Sequence, residues 1–311
     1  MKIAIFHHND NDGYFSAAVV GEYHRIDHVD YFEWWYGKSL PFQLIFDESN
    51  SLYDRVYLVD LSFPDFFMNN LVEQYGDNFV WIDHHKTALE ECAGINAAGL
   101  RRIGTAACEL CWEYFYPDTV PPLIIQYISA FDVWDKSRFD WDKVVAIKYW
   151  AESFHRNDPR NILGFACWNN DDLDQWATIG TSIKDYVDLQ NKRVADSGKF
   201  QGMIYKYVEN KVTKKESFGV YKAIFINTTA RSSEAFKSIE NLSEYDVMIP
   251  FTFNGEAGKF SIYSTKEHID CGELAKSKEG GGHKGAAGFQ LNRHKFINFL
   301  STKSLVFISH E

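Results

Sequence analysis

Three short apolar runs, each followed at once by acidic residues or histidines, constrain the fold of this chain more than any other feature. The runs are residues 2–6, 56–59 and 79–82, which are too short for helices and rich in Val, Ile and aromatic residues. Helical patterns separate them, and the first of these begins near Tyr14. Strands that alternate with helices predict an α/β fold, with a parallel sheet covered by helices on both faces.

The polar side chains that follow these runs are expected to converge in space. They are His8, Asp10 and Asp12 after the first run, Asp60 after the second, and Asp83, His84 and His85 after the third. In an open parallel sheet, ligands bind just beyond the carboxyl ends of the strands. Several carboxylates in one crevice would repel one another unless protons or divalent cations compensate their charge, and the imidazoles favour cations. Oxygen and imidazole ligands without thiolates suit Mn²⁺, Mg²⁺, Co²⁺ or Zn²⁺.

The C-terminal third of the chain has a different pattern. Strands are predicted at 220–226, 245–253 and 259–263, with a hairpin-type turn at Asn254-Gly255 and a helix at 232–242. Before this third, helices are predicted at 105–116, 123–131, 134–165 and 172–196. We therefore predict a larger N-terminal domain over residues 1–200 and a smaller mixed α/β domain over residues 201–311.

The charge of the chain limits the kind of substrate that it can bind. The formal net charge is −11, which argues against a protein that follows a long nucleic-acid backbone. A short anionic substrate stays compatible with this charge, because bound metal ions can reverse the local sign. Arg101 and Arg102 are interpreted as solvated surface residues that could still attract the phosphates of a nucleotide.

Cysteine usage and hydropathy indicate the compartment. The five cysteines are an odd number without the spacing of a disulfide framework, which predicts a reducing, cytoplasmic environment. No apolar run approaches the roughly 20 residues that cross a bilayer, and residues 1–10 lack the features of a signal peptide. We expect no membrane partner.

The order of these residues resembles the DHH phosphoesterase superfamily. The resemblance is carried by residues 8–13, Val59-Asp60, residues 83–85, Asp132 within residues 129–132, and the glycine-rich segment 280–289. The last segment is similar to the signature of the DHH-associated substrate-binding domain, so the resemblance covers most of the chain. Within the superfamily, residues 82–89 are most similar to small oligoribonucleases of the nanoRNase B type, and residues 104–107 and 131–134 fit the same group.

The resemblance implies a role for each matching residue. The implied ligands of two divalent cations are His8, Asp10, Asp12, Asp60, His84 and Asp132. Asp10 and His8 would hold one ion, Asp60 would bridge both, and the other three residues would hold the second ion. Mn²⁺ is the expected metal, with Mg²⁺ or Co²⁺ as alternatives, and a water between the ions would be the nucleophile. His85 would contact the scissile phosphate, and Asp83 would orient His84 or His85.

The glycine-rich segment supplies the implied substrate-binding residues. These are Gly280, Gly281, Gly282 and His283. Glycines let a backbone approach a phosphate closely and expose its N–H groups, and His283 could stack on a base or hydrogen-bond a phosphate. Many relatives carry an arginine in the preceding strand where this chain has Tyr263. The substitution removes a guanidinium clamp and adds an aromatic surface, which leaves the preferred substrate open.

Several residues also have simpler structural interpretations. Cys108 and Cys111 are spaced like a redox or zinc pair, but the absence of a second pair and the helical pattern favour core packing. His7 would alternate onto the side of its strand away from the motif and is interpreted as structural. Asp135 is a rival of Asp132, which is favoured by the apolar residues before it.

The implied function is a metal-dependent phosphodiesterase that cuts short oligonucleotides to nucleoside monophosphates. The expected partner is a short oligonucleotide or nucleotide, and a homodimer is the candidate assembly. Within the same chemistry, cyclic mono- or dinucleotides and phosphoadenosine phosphate are alternative substrates. A processive exonuclease of the RecJ type is less favoured, because it would need a basic channel. A non-catalytic nucleotide sensor is the alternative from a different class.

Overall fold

The computed structural model describes residues 1–35, 38–41, 52–155, 157–162, 172–210, 215–229, 233–282 and 284–310. The chain divides into two compact units, Met1–Lys184 and Asp185–Glu311. The division falls inside a helix, Leu173–Gly198, whereas the sequence places it at the end of that helix. The assignment of separate roles to the two parts stays a prediction. Within the described ranges, no helix combines the length and apolar character that a membrane span requires.

A four-stranded parallel sheet forms the centre of the first unit. Its strands are β1 (Lys2–His7), β2 (His28–Glu33), β3 (Arg55–Val59) and β4 (Phe79–Ile82), in the order β2-β1-β3-β4. Strands β1, β3 and β4 match the three predicted runs. Strand β2 was not predicted because it is a polar, half-exposed edge strand that lacks an apolar run. The carboxyl ends of β1, β3 and β4 therefore lie at one edge of the sheet.

Helices cover both faces of this sheet, as predicted. The described helices are α1 (Asn11–Tyr23), α2 (Asp65–Tyr75), α3 (Lys86–Glu91), α4 (Ala107–Phe115), α5 (Leu123–Asp132), α6 (Trp141–His155) and α7 (Leu173–Gly198). Alternate side chains of β1 enter two separate cores: Ile3 and Ile5 pack with α1 and α4 to α6, whereas Ala4 and Phe6 pack with α2 and α3. A sheet buried on both faces explains why its central strands are continuously apolar.

Helix α6 is shorter than the helix predicted over residues 134–165. It begins only at Trp141, because α5 ends at Asp132 and Trp134 has a left-handed backbone with φ 58°. After His155 the chain makes a turn of 3-10 helix at Pro159–Asn161. Asn157 has a left-handed backbone with φ 59°, and Pro159 disfavours a helical conformation at Asp158, so the helix does not continue through these residues.

The second unit is a mixed sheet with two short helices and the C-terminal part of α7, in agreement with the predicted fold class. Its strands are β5 (Lys199–Asn210), β6 (Lys215–Asn227), β7 (Val247–Phe253), β8 (Ala257–Tyr263), β9 (Gly281–Gly282), β10 (Ala286–Asn292) and β11 (Ser304–His310). The order is β11-β5-β6-β7-β8-β10-β9, and the described helices are α8 (Cys271–Lys276) and α9 (Arg293–Thr302).

The prediction of a helix at 232–242 was wrong. Only Ser233–Phe236 and Leu242–Glu244 form short 3-10 turns in this region. Ala235 and Phe236 enter a small core with β6 and β7, and Asn241 has a left-handed backbone with φ 57° that interrupts a helix. Local packing therefore overrides the helical propensity of this segment.

Candidate functional site: an acidic and histidine cluster at the sheet edge

Asp10 is the N-cap residue of α1 and lies in the short turn after β1. Its Oδ1 accepts a hydrogen bond from the Gly13 N–H at 3.0 Å and thereby caps the helix, and its Oδ2 lies 2.6 Å from His8 Nδ1. A Cβ at Gly13 would lie 2.2 Å from the His8 carbonyl oxygen, so only glycine permits this tight entry into the helix. Although burial favours the neutral acid, His8 and the Gly13 N–H hold the pKa of Asp10 below its usual range.

Asp12 is held by the first turn of a helix that is distant in the sequence. Its Oδ2 accepts the Ala107 N–H at 2.8 Å, and its Oδ1 accepts the Cys108 N–H at 2.7 Å. These two donors belong to the N-terminus of α4, where the helix dipole favours a negative charge. The motif at 104–107 was predicted only as a group signature. In the structure, its last residue positions a carboxylate.

Asp60 follows β3 in an environment that is unfavourable for an isolated carboxylate. Its backbone is left-handed with φ 60°, and both of its oxygens are buried without a hydrogen-bond partner in the described part of the chain. Burial, and the nearby charges of Asp12 and Asp10, raise the pKa of this carboxyl well above its usual range. A buried, unpartnered carboxylate is the type of group that a bound cation stabilises.

His84 lies among three carboxylates. Its Nε2 is 3.5 Å from Asp12 Oδ2, 3.3 Å from Asp60 Oδ1 and 3.3 Å from Asp132 Oδ2. Within the described residues this nitrogen makes no hydrogen bond. Burial lowers the pKa of His84, so its imidazole is neutral and can offer a lone pair. A neutral imidazole nitrogen that makes no hydrogen bond and faces three carboxylate oxygens fits a metal ion between them.

Asp83 positions the second histidine of the motif. Its Oδ1 lies 2.8 Å from His85 Nδ1 and accepts the backbone N–H groups of His84 and His85 at 2.7 and 3.1 Å. Burial lowers the pKa of His85, but the hydrogen bond and charge of Asp83 outweigh this effect and raise it to about 9. The imidazole is 25% exposed, so it can reach a bound molecule.

The candidate ligand atoms form three overlapping groups. Within each group the atoms lie within 4.8 Å of one another. The first group is His8, Asp10 and Asp60. The second is Asp12, His84 and Asp132, and the third is Asp60, His84 and His85. Asp60 and His84 each belong to two groups, and Asp60 Oδ1 lies 3.3 Å from His84 Nε2, which places this carboxyl between the His8–Asp10 group and the Asp12–His84–Asp132 group. The third group also contains His85, which was not a first-choice ligand in the prediction. All six predicted metal ligands are therefore brought together at one edge of the sheet.

The structure also separates Asp132 from its rival. Asp132 is the last residue of α5, and its Oδ2 faces His84. Asp135 instead accepts hydrogen bonds from the Ser137 N–H at 3.0 Å and from the Ser137 hydroxyl at 2.6 Å. Asp132 is thus the aspartate of this segment that belongs to the cluster.

The glycine-rich segment lies in the second unit, and two of its five glycines are required by close packing. A Cβ at Gly280 would lie 2.1 Å from the Gly288 carbonyl oxygen, and Gly282, with φ 144°, would clash with Ala287. Gly281 is exposed and has open space where a Cβ would be. His283 lies outside the described residues. The substrate-binding role of the segment therefore stays a prediction.

A buried polar network behind residues 10–12 was not predicted. His155 Nε2 lies 2.9 Å from Asn11 Oδ1, and His155 Nδ1 accepts the Asn157 N–H at 3.0 Å. The ring of Tyr14 stacks on His155 with centroids 4.3 Å apart, and its hydroxyl donates to Glu33. Burial lowers the pKa of His155 to about 4. His155 lies 144 positions after Asn11, so no motif spacing could have indicated this contact.

His7, Cys108 and Cys111 are buried, in agreement with their structural interpretation. The His7 ring is buried, and its Nδ1 lies 2.8 Å from the His8 carbonyl oxygen. Cys108 and Cys111 are buried in α4 as part of the core, and burial raises the pKa of both thiols. Neither cysteine is therefore suited to redox or metal chemistry.

The prediction that Arg101 is a solvated surface residue was wrong. Its guanidinium donates to the backbone carbonyls of Trp81 and Ala97, each at 2.9 Å, and lies over the Trp81 ring. Trp81 lies 20 positions before Arg101, so the residue type alone suggested an exposed charge. Arg102 is exposed and pairs with both carboxylate oxygens of Glu113.

Comparison with known proteins supports the fold. No protein-family model matches the chain. An uncharacterized protein, R106 of Acanthamoeba polyphaga mimivirus, is 22% identical over 308 residues, covering 93% of this chain and 67% of R106. RecJ from Thermus thermophilus, solved in complex with Mn²⁺, has a TM-score of 0.51 and 13% identity, covering 100% of this chain and 53% of RecJ. PggH, a pGpG-specific phosphodiesterase from Vibrio cholerae, has a TM-score of 0.48 and 13% identity, covering 97% of each chain. The chain therefore shares the fold of RecJ.

Proposed function

We propose that this chain is a metal-dependent phosphodiesterase of the DHH superfamily that hydrolyses short oligonucleotides to nucleoside monophosphates. The observation that carries the proposal is the position of Asp60, a buried carboxylate without hydrogen bonds that belongs to two groups of candidate ligand atoms. Two cation sites that share a carboxylate are typical of phosphoryl-transfer enzymes. The RecJ-like fold and the order of the sequence motifs support the same conclusion.

Two divalent cations would be held by the residues of the cluster. His8 and Asp10 would bind one ion, and Asp12, His84 and Asp132 would bind the other. Asp60 would bind both, because it is grouped with His8 and Asp10 and its Oδ1 lies 3.3 Å from His84 Nε2. When bound, the ions would neutralise the carboxylates, lower the pKa of a water molecule and polarise the phosphoryl oxygens. Mn²⁺ is the first choice, because imidazole and carboxylate ligands suit it and RecJ, with the same fold, was solved with Mn²⁺. Mg²⁺ and Co²⁺ are the alternatives.

The Asp83–His85 pair would assist the leaving group. Asp83 is buried and holds the His85 imidazole through a 2.8 Å contact, which favours the protonated ring at neutral pH. An imidazolium beside Asp60 can donate a hydrogen bond to the phosphate and a proton to the leaving oxygen. The α4 N-terminus would meanwhile keep Asp12 in place through two N–H donors.

A length series with matched variants tests this function. Labelled RNA and DNA of about 2 to 24 nucleotides, which brackets single-strand site sizes, would be incubated with Mn²⁺, Mg²⁺ or chelator. We expect metal-dependent cutting that falls with length and is lost in Asp60→Asn and His84→Ala. Asp77→Asn is the matched control, since Asp77 is exposed in the turn before β4, outside the cluster, and should keep full activity.

The variant His85→Ala separates catalysis from metal binding. Loss of a general acid slows the reaction by about 100- to 10,000-fold, while the stabilisation by added Mn²⁺ should persist. Turnover of cyclic nucleotides or phosphoadenosine phosphate in place of oligonucleotides would change the substrate but keep the chemistry. Tight nucleotide binding without turnover of any phosphate ester would contradict the proposed enzymatic function and favour a non-catalytic nucleotide sensor.

A further inference from the structure

An aromatic surface next to Asp132 has no role in the cluster itself. We call it the Trp134 platform and define it as Phe131, Trp134, Lys136 and Trp141. The Trp134 ring centroid lies 5.6 Å from that of Phe131 and 5.0 Å from that of Trp141. Lys136 Nζ lies 4.9 Å from the Trp134 centroid and 5.4 Å from that of Trp141. Lys136 forms no ion pair with any residue that the structure describes.

Trp134 occupies a backbone position that favours glycine. The Asp135 N–H donates to the Ala130 carbonyl at 2.9 Å and the Trp134 N–H to the Phe131 carbonyl at 3.2 Å, so α5 ends in a Schellman motif. Trp134 lies at its left-handed position, with φ 58°. A bulky side chain is unfavourable in this conformation. Glycine would satisfy the same hydrogen bonds without strain.

The fold gains little from the indole ring. The side chain of Trp134 is 57% exposed, so much of its apolar area stays in contact with water. The ring contacts with Phe131, Trp141 and Lys136 leave more than half of the residue exposed, so packing within the chain explains only part of this choice at a strained position. Strained residues of this kind concentrate at ligand-binding sites.

The platform is close enough to the cluster to contact the same substrate. Asp132 Oδ2 lies 3.3 Å from His84 Nε2, and Trp134 is two residues further along the chain. Two residues span at most about 7 Å between their Cα atoms. A nucleobase is separated from its phosphate by one sugar, so a nucleotide whose phosphate meets the cluster can place its base near Trp134.

We propose that the Trp134 platform binds, by stacking, the nucleobase next to the scissile phosphate, with Lys136 contacting a flanking phosphate. This inference rests on the proposed function and specifies its substrate. Every base offers a π face, so the platform would accept all four bases, and it would require a base that is unpaired. The substrate class is therefore single-stranded and independent of sequence.

Dinucleotides with and without a base test the platform. Base–aromatic stacking corresponds to a change of about 5- to 150-fold in affinity. We expect Trp134→Gly to raise KM by this factor with little change in kcat, and Trp134→Phe to stay near the wild type. On a dinucleotide that lacks the stacked base, the wild type and Trp134→Gly should have equal KM values. Thermal unfolding should show that Trp134→Gly is folded, because glycine fits the left-handed backbone although the ring contacts with Phe131 and Trp141 are lost.

Tyr23→Ala is the matched control for an exposed aromatic ring. Tyr23 is 51% exposed and lies at the far end of α1, about 16 Å along the helix axis from Asp12. The KM of the Tyr23→Ala variant should equal that of the wild type. An unchanged KM in Trp134→Gly, or an equal rise in KM with the abasic substrate, would overturn the proposed stacking role of the platform. Neither result would contradict the proposed phosphodiesterase activity.

A direct binding measurement separates failure of the platform from failure of the proposed function. If the wild type hydrolyses no oligonucleotide, cyclic nucleotide or phosphoadenosine phosphate, the phosphodiesterase proposal fails. Stacking at the Trp134 platform is then tested with 2-aminopurine nucleoside monophosphate. Quenching of its fluorescence by the wild type and not by Trp134→Gly would support stacking at this position. Equal quenching by both proteins would overturn it.

Discussion

Asp60 is a single residue that lowers the stability of the fold when no ligand is bound. Its left-handed backbone and its two buried, unpartnered oxygens are each unfavourable in a folded protein. Because its folded-state pKa is raised, this carboxyl supports the fold only at a pH low enough to protonate it, and that contribution is lost as the pH rises. A bound cation would recover this free energy at neutral pH.

Removing the charge of Asp60 should therefore stabilise the metal-free protein. In chelator at neutral pH, we expect Asp60→Asn to raise the free energy of unfolding by about 1–3 kcal/mol, since the repulsion from Asp12 and Asp10 disappears. Urea unfolding measures this change, with Asp135→Asn as the control. A destabilised Asp60→Asn protein that folds normally would contradict the electrostatic account.

His155 predicts a specific dependence of stability on pH. Its folded-state pKa is about 4, below the ordinary value of about 6.5, because it is buried as a neutral ring. The unfolded chain binds the proton first as the pH falls, so this residue destabilises the fold progressively between about pH 6.5 and about pH 4. His155→Gln should reduce the fall in the free energy of unfolding across this range. An identical pH dependence in both proteins would exclude His155 as the source.

At the scale of secondary structure, helix ends and strand ends together build the site. The carboxyl ends of β1, β3 and β4 present their acidic residues and histidines at one edge, and α5 ends at Asp132. The N-terminus of α4 then binds Asp12 through the first two N–H groups of the helix. The helix dipole and these two hydrogen bonds therefore stabilise the charge and orientation of a candidate metal ligand.

Proline at the first position of α4 tests this arrangement. Ala107→Pro removes the N–H that donates to Asp12 at 2.8 Å, and proline is tolerated at the first helical position. We expect metal affinity to fall by about 10- to 100-fold, as for other residues that orient a metal ligand. Isothermal titration with Mn²⁺ measures the change. Arg293→Pro, at the first position of α9, is the matched control and should leave Mn²⁺ affinity unchanged.

At the scale of the whole molecule, all candidate metal ligands belong to the first unit. The cluster extends from His8 to Asp132, within Met1–Lys184. The glycine-rich segment, with its predicted role in substrate binding, belongs to the second unit. A short oligonucleotide as substrate and a homodimer as assembly are the partners that we propose for the full chain, and sedimentation velocity measures the assembly.

Metal binding should consequently stabilise one unit more than the other. At Mn²⁺ concentrations about 100 times the dissociation constant, the expected gain in free energy of unfolding is about 2.7 kcal/mol. Hydrogen exchange of the full chain should show added protection in β1, β3, β4 and α4, with little change in β5 to β8. Protection confined to the second unit would contradict the assignment of the metal site.

The sequence by itself determined the strand ends of the first unit and the candidate ligands that follow them. This was possible because apolar runs reveal central strands, and parallel strands bring their carboxyl ends to one edge. Only the tertiary structure decided which groups support those ligands. The contact of Asp12 with α4 joins residues 95 positions apart, and that of Asn11 with His155 joins residues 144 positions apart. The strained Trp134 and the edge strand β2 were equally hidden, since backbone conformation and solvent exposure depend on neighbours that local sequence does not specify.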